Sequence, residues 1–202
     1  MAKASTILLA AGLMSVSAAR LAGAQHTHDE RAATNDRREA TIVLHVVNFA
    51  ALSRDVLDTA RDRVATIYMS IGVRTVWVDS EQAVEKHLDG GLHLTVMLLT
   101  HEMLGISDDA VGRAHPGIGR AYIFCNRVRS MPGPKFFAIS LGAVIAHEVG
   151  HLLLSEKGHS RSGIMRAEMD VKHAINLQSF DKSQADSIRK TLMTPTVSAT
   201  GR

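Results

Sequence analysis

Between Phe137 and Leu154 the chain reads FAISLGAVIAHEVGHLLL, a stretch that is apolar almost all the way round a helix yet carries two histidines and a glutamate. A helix with apolar residues on every side must be buried against a sheet or against other helices. Any ionisable side chain on it is then taken out of water, which is costly unless the group is paired, hydrogen-bonded or bound to a metal. The fold must therefore supply a layer to cover this helix and a chemical reason for His147, Glu148 and His151.

The preceding residues read as that layer. TIVLHVVNF, from Thr41, is β-branched and apolar, as in a buried strand, and SRDVLDTARDRVATIYMSIG follows with Val56, Leu57, Ala60, Val64, Ile67, Tyr68 and Ile71 at helical spacing. Ser53 stands where a cap would start this helix, and Gly72 where it would end. VRTVWV reads as a second strand, and a strand–helix–strand order with a crossover of this length favours a parallel pair. A short polar helix is expected over residues 81–88, ended by Gly90 and Gly91. LHLTVMLLT reads as a third strand, GRAHPGIGR as a glycine-rich loop, and AYIFCNRV as a fourth strand. Near the end, SFDKSQADSIRKTL predicts a helix capped by Asp181 and Gln184 in a capping box, with Ile188 and Leu192 facing the core. The expected class is α/β.

His147, Glu148 and His151 form the pattern HExxH. Two imidazoles four residues apart project from one helix face, one turn apart, and can reach a single tetrahedral ion. Glu148, beside the first of them but rotated away from the ion, is placed to take a proton from a water molecule in metal-assisted hydrolysis. Two histidines do not complete such a site. His159 is the candidate third ligand, on a chain that Gly158 lets turn back after Leu154; Glu168, Asp170 and Glu156 are carboxylate alternatives. A purely structural site has no use for a base and usually closes its fourth position, so an intact Glu148 favours catalysis over a non-catalytic zinc-binding module.

The apolar HExxH helix after a strand-rich half, followed by HSRSGIM, resembles the metzincin zinc peptidases, whose pattern is HExxHxxGxxH and then a methionine turn. The wording HS…GIM is most similar to the matrixin-like branch and to its small secreted bacterial members. The resemblance covers most of Thr41 to Leu192 if one further short strand is allowed. It implies a twisted mixed sheet with an active-site helix carrying HExxH, a methionine turn at Met165 and a C-terminal helix. It also implies one Zn2+ held by His147, His151 and His159, Glu148 as catalytic base, and a peptide or protein substrate bound along an edge strand. That edge strand is expected to be the one beginning at Tyr122. The chain departs from the pattern in one place: Lys157 and Leu154 stand where the family has histidine and glycine, and Gly158 and His159 come later. The first histidine and Met165 are nevertheless 18 residues apart, as in matrixin-like members.

Residues 1–24 carry Lys3, an apolar run from Ile7 to about Ala19, and small residues at Ala22 and Ala24, the pattern of a cleaved secretory signal, with a retained membrane anchor as the alternative. Secretion or a periplasmic location is the expectation, with no membrane association after cleavage. Losing these residues removes Lys3 and Arg20 and no acid, so the formal charge falls from +3 to +1 and gives no argument for nucleic acid. Residues 25–40 read as a polar leader, 41–194 as one zinc peptidase-like domain and 195–202 as a tail. Cys125 is the only cysteine, so no internal disulfide forms and the core carries the fold. It reads as a small packed hydrophobe, His45 and His93 as satisfied strand histidines and not ligands, His26 and His28 as solvated, and His115 as a loop group near the cleft. Besides the metal, only Arg161 and Arg166 suggest themselves for stabilising an oxyanion.

Overall fold

The computed structural model describes residues 39–79, 91–107, 109–131, 133–154, 159–168 and 171–194. The expected signal, nearly all of the leader, the polar helix at residues 81–88 and the tail fall outside them. Among the described residues five strands form one sheet: β1 (Thr41–Asn48), β2 (Arg74–Asp79), β3 (Leu92–Leu99), β4 (Gly112–His115) and β5 (Arg120–Phe124), in the spatial order β2-β1-β3-β5-β4. β2, β1, β3 and β5 run parallel, and β4 is antiparallel to β5. The expected parallel pairing of β1 with β2 is present, with α1 (Arg54–Met69) as its crossover.

Alternation along the strands builds the core. Ile42, Leu44 and Val46 of β1, Leu94, Val96 and Leu98 of β3, and Ile123 of β5 share one sheet face and are buried together. Against this face pack α1, through Ala60, Val64, Ile67 and Tyr68, and α3 (Phe137–Leu153), in which every residue from Ser140 to Gly150 is buried. Burial all round is what the apolar character of α3 required. Two contacts fix its position. A Cβ on Gly142 would come within 2.6 Å of the Ala60 carbonyl oxygen and of Arg63 Cβ, so glycine lets the two helices cross closely. One turn further on, the buried Tyr68 hydroxyl donates to the Ala146 carbonyl at 3.0 Å, directly before His147.

Three local expectations are corrected. AYIFCNRV is not all strand: β5 stops at Phe124, and Cys125–Ser130 forms α2, burying Cys125 and Val128 three residues apart on one helical face. GRAHPGIGR is not all loop, because Gly112–His115 is β4; Pro116 opens a single 3-10 turn and Gly119, at φ 60, closes the reversal onto β5. β4 is a short strand beyond the four read from the sequence. It also displaces β5 from the sheet edge, so the strand containing Tyr122 lies between β3 and β4. At the start of α1, Ser53 occupies the cap position but makes no side-chain capping bond. A short α4 (Val171–Ile175), not expected from the sequence, precedes α5 (Lys182–Met193). The latter carries the predicted capping box, Gln184 N–H donating to Asp181 at 2.8 Å and Asp181 N–H to the Gln184 side chain at 3.0 Å.

Candidate metal centre

The C-terminal half of α3 places His147 and His151 one turn apart on the face toward the chain that returns after the helix. α3 ends at Leu153, and Leu154 takes an extended conformation, its N–H still donating to the Gly150 carbonyl at 3.0 Å. Lys157 and Gly158 lie outside the described residues, and the chain resumes at His159. From there Ser160 N–H donates to the Met165 carbonyl at 2.8 Å and Ile164 N–H to the Ser179 carbonyl at 3.0 Å, closing a tight loop beneath the helix. Gly163 has φ 77, and a Cβ there would stand 2.5 Å from the Ser179 carbonyl oxygen, so both the turn and its contact call for glycine.

This loop brings His159 to the helix. His147 Nε2 and His151 Nε2 are 3.1 Å apart, and His151 Nε2 and His159 Nε2 are 3.3 Å apart. Three nitrogens each about 2.05 Å from one tetrahedral zinc ion would be separated by about 3.3 Å, so the spacing fits that ion. Among the described residues these three form the only group of histidines, cysteines or carboxylates so disposed. The same loop sets a tautomer. The Ile164 carbonyl, 2.7 Å from His147 Nδ1, can only accept, so Nδ1 carries the proton and Nε2 of the neutral ring has its lone pair toward the other two histidines.

Electrostatics favour the ligand form. Burial, with the His159 ring beside it, lowers the His147 pKa to about 4 despite the bond to Ile164, which acts the other way. Burial, then His147 and His159, lower that of His151 to about 4. Both rings are therefore neutral at neutral pH, as coordination requires. Glu148 is only 6% exposed, and burial raises its carboxyl pKa to about 8. Such a group gains from a nearby cation, which favours its ionised form.

Met165 lies fully buried under this end of α3. A Cβ on Gly150 would meet its sulfur at 2.5 Å, so Gly150 is what admits the thioether beneath the helix, as an apolar floor. Glu168 is exposed, pairs with Arg166 at 3.8 Å and is not part of the histidine group, while Asp170 and Glu156 lie outside the described residues. Arg166 also contacts both ring nitrogens of His173, and Arg161 is exposed. His45 and His93 pair with each other at 2.8 Å on the sheet, as expected of strand histidines. His115, expected in a loop, ends β4 and meets the Tyr122 ring edge-on at 5.7 Å. Cys125 is buried, its thiol pushed up to about 11. His26 and His28 lie outside the described residues. The sequence did not disclose the Ile164 carbonyl, since a backbone acceptor has no residue signature, nor Gly112, which lies against the Glu148 side chain.

No family model and no curated protein matches the chain. Solved structures do. A zinc-dependent peptidase from Methanocorpusculum labreanum superposes with a TM-score of 0.54 at 12% identity, over 73% of this chain and 99% of that one. An archaemetzincin from Methanopyrus kandleri superposes with a TM-score of 0.52 at 16% identity, over 78% of this chain and 97% of that one. At these identities the likeness is one of fold.

Proposed function

We propose that the chain is a secreted, zinc-dependent endopeptidase of metzincin type. The observation that carries the reading is the convergence of the His147, His151 and His159 Nε2 atoms beside a buried glutamate. The fold likeness to proteins described as a zinc-dependent peptidase and an archaemetzincin supports it. So does Met165, buried under the helix in the place of a methionine turn. The 18-residue separation of His147 from Met165 and the wording HS…GIM favour the matrixin-like branch, with the later His159 as third ligand in place of the residue at Lys157. Export rests on the signal-like residues 1–24.

When bound, zinc supplies Lewis acidity to a peptide carbonyl and to a water molecule. The chain's own residues do the rest. His147, oriented through Nδ1 by Ile164, and His151 on the next turn offer lone pairs from one rigid helix, and His159 closes the set from the loop. The Glu148 carboxylate takes a proton from the attacking water and passes it to the departing amine nitrogen. β4 is the edge strand next to Glu148, so an extended substrate would pair with β4 through backbone hydrogen bonds, which require no particular side chain.

The test compares wild type with Glu148→Ala on an unbiased peptide library, cleavage being read by mass spectrometry with and without a chelator. Glu148 is not needed to hold the metal, so the variant should keep zinc and fold while losing about a hundred- to ten-thousandfold in rate. Chelator-sensitive cuts that vanish in the variant support the reading. Zinc-loaded, folded wild type that cuts nothing would replace it with a non-catalytic binding role or a non-peptide amide substrate.

A further inference from the structure

Gly112 opens β4 and lies against the Glu148 side chain. A Cβ built on it would stand 2.7 Å from both Cγ and Oε1 of Glu148 and 2.9 Å from Cδ. Non-bonded carbons settle at about 3.5–4.0 Å, so a methyl group here overlaps the carboxylate. The Gly112 backbone is not in the left-handed region, so conformational freedom is not what glycine provides. What it provides is the missing methyl.

Neither backbone can recoil cheaply. Gly112 is paired with Ile123 in the β4–β5 ladder, and Phe124 N–H holds the preceding Val111 carbonyl at 3.0 Å. One residue earlier, Arg127 Nη1 donates to the Ala110 carbonyl at 2.8 Å, and the same side chain pairs with Glu102 at 3.2 Å. On the other side, Glu148 belongs to a stretch of α3 in which every residue is buried, so that helix cannot slide. The only soft degree of freedom is the Glu148 rotamer.

We propose that Gly112 is a positioning residue for Glu148: bare backbone of the edge strand forms one wall of the slot that aims the carboxylate. The inference rests on the reading of Glu148 as general base. Its physical content, a steric coupling between Gly112 and Glu148, does not.

The experiment makes Gly112→Ala, Glu148→Ala and the double variant in the full chain, and measures zinc content, melting temperature, and kcat and KM on a peptide that wild type cuts. Gly112→Ala should retain zinc, melt a few degrees lower, and lose about tenfold or more in kcat with KM little changed. In the Glu148→Ala background the same substitution should leave the melting temperature unchanged or raise it, because the clashing side chain is gone and alanine restricts the unfolded chain. That reversal is what a merely structural glycine would not show. A Gly112→Ala protein that folds only when Glu148 is also truncated would be the strongest support. Equal losses in both backgrounds, including failure to fold in both, would show that the methyl meets something other than Glu148 and overturn the proposal. An unchanged melting temperature and kcat in Gly112→Ala would overturn it too. If wild type cleaves no peptide, the melting-temperature cycle still decides the coupling, so the peptidase reading and this one fail separately.

Discussion

At the scale of the residue, the site depends on which groups are denied water. His159 is exposed and comes from a loop, whereas His147 and His151 are fixed on a buried helix, so His159 completes the donor set but does not organise it. His159→Ala should therefore weaken zinc binding strongly while leaving the helix intact, and Glu168→Ala, at an exposed ion pair, should leave binding unchanged; competition with a chromogenic chelator separates the two. Loss of zinc in Glu168→Ala but not in His159→Ala would reverse the assignment. Titration of the chelator-treated protein has a definite sign. Glu148 holds its proton to about pH 8 when folded against an ordinary value of 4.5, so its contribution to stability is lost as pH rises through that interval. His147 and His151 stay neutral to about pH 4 against an ordinary 6.5, so theirs is lost as pH falls below 6.5. Stability of the stripped protein should peak at about pH 6–7, and Glu148→Gln should flatten the decline on the alkaline side; denaturant unfolding across pH 5–9 measures both.

At the scale of the element, α3 is held where its chemistry needs it by neighbours that serve no chemical role. Thr191 of α5 donates its hydroxyl to the Leu153 carbonyl at 3.1 Å, one of the last carbonyls of α3 that the helix itself does not bond, and Arg189 donates to the Ile71 carbonyl at 2.7 Å. α5 is in turn started by the capping box at Asp181. Asp181→Ala should cost about 1 kcal/mol, a fall of about 2–4 °C in melting temperature, without changing the zinc content. A loss of metal together with stability would mean that α5 shapes the site more directly than its contacts indicate. The same scale explains the misread segment Cys125–Ser130. Past Phe124 only Val128 is a strong strand former, and Cys125 and Val128, three residues apart, share one buried face on a helix but would point to opposite faces of a strand.

At the scale of the molecule, three ligands from two segments tie the core helix to the loop that follows it. A metal bound only by the native arrangement stabilises it by about RT ln(1 + [L]/Kd), about 4 kcal/mol at a thousandfold excess over Kd. Chelation should accordingly lower the melting temperature by on the order of ten degrees, zinc should restore it, and in His159→Ala the difference should shrink sharply; calorimetry with and without chelator reads all three. The sheet plays the complementary part. Because β4 turns back antiparallel onto β5, the edge strand of the sheet lies beside Glu148.

By itself the sequence determined the features that follow from period and polarity. The β1–α1–β2 unit, β3, the buried α3 and the capped α5 were all legible, because alternation of two, spacing of 3.6 and a capping box are local signals. His147, Glu148 and His151 were legible for the same reason, their relation being a property of one helix. The tertiary structure alone decided the rest. It brought His159, and not Glu168, into one group with His147 and His151, since closing a loop through Gly163 and Ser179 is not encoded in ligand spacing. It turned GRAH into an edge strand, because those four residues have little β-propensity and pair only once the reversal at Gly119 brings them onto β5. And it gave Gly112 and the Ile164 carbonyl their parts, because a missing methyl and a backbone acceptor acquire meaning only when another segment arrives against them.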